Sequence, residues 1–202
     1  MNIFTAGGIL LVPILLCGLF SAFIIIERFV YFHSIEKRDN QLKKDVDIYL
    51  TKHDYATAET SASAAGTPTG IVLKKAVQSK KLIESDMREV VQNELDSVVP
   101  MFERWTTLLP TLANVAMLLG LLGTVLGNIS AFNVLGGGGS LLNQEALSLG
   151  IARSLVTTAA GLIVAIPTLV FNSFLNSIID VRIAELEKFI SSTLLRLTGR
   201  IL

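Results

Sequence analysis

Charge is scarce in this sequence and unevenly placed. Of its 202 residues, 17% are Asp, Glu, Lys or Arg and 51% are hydrophobic, whereas charged residues make up about a quarter of a typical soluble domain. The 17 basic and 17 acidic side chains cancel, so the surplus of positive charge expected of a nucleic-acid binder is absent. One cysteine, Cys17, excludes an internal disulfide and a cysteine pair for zinc. The two histidines, His33 and His53, lie outside every long apolar run and have no ligand spacing around them. No histidine therefore reaches a serine in those runs, which excludes a Ser–His hydrolase built inside a membrane. The run Gly136–Gly139 is followed by no Gly-Lys-Ser/Thr, so it is a turn and not a phosphate loop.

No charged residue occurs in positions 1–26, 105–144 or 154–179. A helix of roughly 20 apolar residues crosses a hydrocarbon layer of about 30 Å, and each block is long enough. Three transmembrane helices are expected, at 9–27, 105–135 and 147–179. The second, at 1.5 Å per residue, reaches about 46 Å and should project beyond the bilayer. The first lacks a basic leader and a small-x-small cleavage site, and Leu16 precedes Cys17 where a lipoprotein signal needs a small residue. It reads as a retained anchor.

Twelve Lys/Arg fall between Glu27 and Arg104 and four follow the third span, while 1–8 and 136–146 have none. By the positive-inside rule, the N-terminal segment 1–8 and a Gly-rich loop at 136–146 lie outside, and a helical region at 28–104 and a C-terminal helix at 180–202 lie in the cytoplasm. Within 28–104, Leu42, Val46, Tyr49 and Leu50 keep helical spacing. Asp54 and Thr67-Pro68 are helix-start signals, and Ser85-Asp86 opens a helix with Met87, Val90, Val91, Leu95 and Val98 on one face. Pro100 and Pro110 punctuate the entry to the second span. The fold class is an all-α integral membrane protein.

At 100° per residue, Ala113, Ala116, Gly120, Gly123, Thr124, Gly127 and Ala131 share one face of the second span. Gly150, Ser154, Thr157, Thr158, Gly161, Ala165, Thr168 and Asn172 share one face of the third. Two readings fit. Small faces allow close helix packing, with hydroxyls bonded to their own backbone; alternatively, the hydroxyls of Ser154, Thr157, Thr158 and Thr124 line a narrow polar path. Pro167 frees a carbonyl in the third span. No carboxylate lies in any apolar core, so a proton relay through these spans needs an acid from elsewhere.

The segments LLGLLGTVLGNISAF (118–132) and GIARSLVTTAAGLIVAIPTLVFN (150–172), with ERFVYF (27–32), resemble the ExbB/TolQ/MotA proton-channel family. Three spans resemble its ExbB/TolQ branch, since MotA-type subunits have four. The resemblance implies a homopentamer in the bacterial inner membrane, surrounding an ExbD/TolR-like single-span partner that carries the membrane Asp. Proton motive force is then converted into work on a TonB/TolA-like effector, with no enzymatic step and no bound cofactor beyond the translocated H⁺. It also implies that Thr124 and Thr158 line the channel, that Gly120, Gly123 and Gly127 are family glycines, and that Pro167 is the third-span proline.

Two positions depart from the family pattern. Met117 stands where Pro is usual, and Arg153 where Glu is usual. Glu145, about two turns earlier, is a substitute acid at the periplasmic mouth; alternatively, Arg153 pairs with a partner carboxylate there. The Thr157-Thr158 pair leaves Na⁺ open as the coupling ion, as in sodium-driven stators. A non-conducting oligomeric scaffold is the rival from another class.

Overall fold

The computed structural model describes residues 8–136 and 142–199, without the side chains of 134–136 and 142–146. The expected segment 1–8, apart from Gly8, and much of the Gly-rich loop lie outside the described residues. The elements are α1 (Leu11–Thr51), α2 (Tyr55–Ala65), α3 (Pro68–Gln78), a 3-10 turn (Ser79–Lys81), α4 (Glu84–Glu103), α5 (Leu108–Gly136) and α6 (Leu142–Leu197). Every described element is helical. Three stretches are long and apolar enough to cross a membrane: in Leu11–Thr51, in Glu84–Asn133 and in Leu147–Leu197.

The helix ends differ from the sequence expectations in instructive ways. The amphipathic stretch around Leu42 is not a separate helix; α1 runs unbroken from the first span to Thr51. Likewise α6 continues through Pro167 to Leu197. Pro100 sits inside α4, so it does not end that helix. The break before α5 falls at Arg104–Thr107, where Trp105 takes a left-handed φ of 67°. Pro110 is the third residue of α5, where an N–H would have no helical acceptor in any case. The two start signals hold: Asp54 accepts from Thr57 N at 3.1 Å, and Thr67 Oγ1 accepts from Gly70 N at 3.2 Å with Pro68 opening α3. The fourth helix starts at Glu84, one residue ahead of the expected signal.

The chain divides into two compact units, Met1–Glu27 with Trp105–Phe174, and Arg28–Arg104 with Leu175–Leu202. In the second, α1 and α6 run parallel, as the pairs Glu36–Arg182 (2.7 Å), Lys43 over Phe189 and Asp47–Arg196 advance together along both helices. Between them lies an apolar seam including Ile35, Leu42, Val46, Leu186 and Ile190. Met87, Val91, Leu95 and Val98 of α4 are buried as their spacing predicts, while Val90 is half-buried. Buried in the same unit, Arg28 donates from Nη1 to Met101 O at 3.5 Å and lies 4.5 Å from the Tyr31 ring centroid. Thr69 Oγ1 donates to Asp39 at 2.6 Å, tying α3 to α1.

The hydrogen bond and then the charge of Arg182 hold the Glu36 carboxyl below its usual value of 4.5. A lowered folded value means that the pair's contribution is present above that ordinary range and is lost as pH falls through the folded value. The pair is partly exposed, so it contributes only about 0.5 kcal/mol. Thermal melts of the full chain in detergent should show Glu36→Gln lowering stability slightly at pH 7, a difference that disappears as the pH falls through the folded value of Glu36.

Candidate functional site

The first unit contains the membrane part of α1, all of α5 and the membrane part of α6. Its central feature is how closely α5 and α6 approach. A Cβ on Gly120 would lie 3.1 Å from Thr157 O and 3.2 Å from Thr158 Cα. One on Gly123 would lie 2.6 Å from Thr157 Cβ, one on Gly127 2.5 Å from Ser154 Cβ, and one on Gly161 2.6 Å from Ala116 O. As residue numbers rise along α5 they fall along α6, so the two helices are antiparallel. With no hydrophobic drive between helices in lipid, close packing of this kind supplies the association. At Gly123, Gly127 and Gly161 backbone or a stiff Cβ occupies the space a side chain would need, and at Gly120 the fit is tight.

This packing separates the four hydroxyls expected to line a path. Ser154 and Thr157 are 3% exposed and buried against α5. Their hydroxyls donate within α6, Ser154 to Ile151 O at 2.7 Å and Thr157 to Ser154 O at 2.8 Å. In this structure these two hydroxyls are taken up by helix packing and by their own helix's carbonyls. Thr124 and Thr158 are half-exposed. Thr124 donates to Leu121 O at 2.6 Å, and Thr158 donates across the interface to Gly120 O at 2.9 Å.

Helix geometry gives these two a common side. Relative to the direction from α6 to α5, set by Gly150, Ser154, Thr157 and Gly161, Thr158 is rotated by about 70°. Thr124 is rotated by about 70° in the same sense from the α5 direction set by Ala116, Gly120, Gly123 and Gly127. Between antiparallel helices, equal rotation in one sense points to the same flank. Val164 is rotated the other way, and it meets α1, where a Cβ on Gly18 would be 3.0 Å from Val164 Cγ2. So α1 covers one flank of the α5–α6 pair, and Thr124 and Thr158 open on the other.

The remaining expected residues fall as follows. Gly161 and Ala165 are buried, and Pro167 is exposed. Arg153 is exposed and turned toward the flank of Val164, away from Thr158. Glu145 belongs to the first turns of α6, and its side chain lies outside the described residues. Asn128, which falls just outside the arc of small residues on the second span, is exposed on α5 one turn beyond Thr124. Its i+4 spacing from Thr124 was the available signal. Among the described residues, no three or more His, Cys, Asp and Glu side chains converge as a metal site.

Three membrane-length helices define a multi-pass membrane protein. The sequence profile of the MotA/TolQ/ExbB proton channel family matches residues 64–188. The chain is 33% identical over 175 residues to the biopolymer transport protein ExbB-like 3 of Synechocystis, covering 86% of this chain and 83% of that one. It is 43% identical over 68 residues to the biopolymer transport protein ExbB of Aquifex aeolicus, covering 34% of this chain and 45% of that one. Similarity to ExbB1 of Vibrio cholerae is 34% over 98 residues, or 48% and 43% of the two chains. The chain belongs to the MotA/TolQ/ExbB proton channel family, on its ExbB side.

Adding side-chain volume at the α5–α6 contact should cost ~2 kcal/mol or more. Gly123→Val or Gly161→Val should therefore lower the thermal midpoint of the purified chain in detergent by several degrees. Leu126→Ala, on the exposed side of α5, should leave it nearly unchanged.

Proposed function

We propose that this chain is the channel subunit of an inner-membrane motor that spends proton motive force on periplasmic or outer-membrane machinery of the TonB/Tol type. Five copies enclose an ExbD/TolR-like single-span partner, whose membrane carboxylate supplies the titrating group these spans lack. The observation that carries this reading is the pairing of Thr124 and Thr158 on one open flank of two helices whose charge-free stretches, 108–136 and 154–179, hold no acid. A partner helix laid on that flank meets two hydroxyl oxygens about one helical turn apart.

The energetics are adequate. One charge crossing 100 mV releases about 2.3 kcal/mol, so two ions outweigh several hydrogen bonds of about 1 kcal/mol each. Protons are favoured over Na⁺ because burial of Thr157 removes one of the two adjacent hydroxyls a desolvated Na⁺ would use. The rival reading, a scaffold that conducts nothing, draws on the same packing, since Ser154 and Thr157 serve only to join helices.

Reconstitution with the acid-bearing partner in liposomes under an imposed potential separates the two. Thr124→Ala with Thr158→Ala should reduce proton flux at least tenfold at unchanged incorporation, and replacing Na⁺ by choline should leave flux intact. Undiminished flux in the double variant would overturn the channel role of these threonines, and absence of flux in the unaltered complex would favour the scaffold.

A further inference from the structure

Each threonine hydroxyl has a single proton, and on this flank both are already committed. A backbone carbonyl only accepts, so the bond from Thr158 Oγ1 to Gly120 O and that from Thr124 Oγ1 to Leu121 O each use that proton. What the two side chains present outward is lone pairs alone. An acceptor-only surface stabilises a protonated carboxyl, which has an O–H to donate, and offers nothing to a carboxylate. The ionised form needs a donor nearby.

Asn128 is the side chain that supplies one. It lies four residues beyond Thr124, about 6 Å along α5 at 1.5 Å per residue, and is exposed. Its rotation from the α6 direction is about 110°, in the same sense as Thr124. The side-chain carboxamide carries two N–H donors. Within two turns of Thr124 on this flank, the other described side chains, such as Met117 and Leu121 of α5 and Leu155 and Leu162 of α6, are apolar and donate nothing.

We propose that Asn128 is a further residue of the ion path, donating to the partner's ionised carboxylate, while Thr124 and Thr158 accept from the same group when it is protonated. This rests on the motor reading above. The acid moves about one turn along α5 between the two positions, and its proton passes to or from water in the exchange. Asn128 is a positioning residue in this scheme: it sets which protonation state is held at which level and exchanges no proton itself.

Dicyclohexylcarbodiimide, which reacts with a protonated carboxyl, reports the state of the partner acid in the intact complex. Its labelling should be followed against pH alongside proton flux in liposomes. Removing the donor with Asn128→Leu should move the labelling midpoint up by about one pH unit, a tenfold change in the ratio of the two forms. Removing an acceptor with Thr158→Val should move it down by a similar amount, and Thr158→Ser should restore it. Midpoints that stay put or move in the same direction, with flux retained in the unaltered complex, would overturn this inference alone. An unaltered complex without flux would overturn the motor reading and this inference with it.

Discussion

The close approach of α5 and α6 is the constraint on which the membrane unit depends. Four glycines bring the two backbones to a separation at which a single methyl group would collide with carbonyl oxygens or with Thr157 and Ser154. Lipid supplies no hydrophobic force to hold helices together, so this contact works through dispersion at short range and through the bond from Thr158 to Gly120 O. The same approach orients the lining. By consuming the centre of each small face, it turns Thr124 and Thr158 outward on one side and leaves the other side to α1.

Charge is handled by separation. The acidic and basic side chains outside the spans form a second unit in which α1 and α6 continue in parallel, joined by an apolar seam and bordered by ion pairs. Both α1 and α6 are unbroken helices, whereas the chain breaks before α5, where Trp105 is left-handed.

Much of this was legible in the sequence. Charge-free blocks mark spans because an unpaired ion in hydrocarbon is too costly to leave unmarked. The caps at Asp54 and Thr67 were readable because a side-chain oxygen next to an N–H is a local interaction. Helix ends that depend on packing were not. The continuation of α1 through Leu42 goes with burial of Leu42 and Val46, which no local signal announces, and α4 runs on through an exposed Pro100.

The site divides along the same line. Composition and periodicity by themselves determined that two helices have small, hydroxylated faces and that no acid lies in the spans, since both follow from residue type and a 100° step. Only the tertiary structure decided which hydroxyls stay open on the flank of the helix pair. Ser154 and Thr157 lie within four residues of Thr158, yet the first two face the glycines of α5 and the third looks past them. A small face is wide enough to serve as both joint and lining, and the direction of the neighbouring helix is what draws the boundary between them.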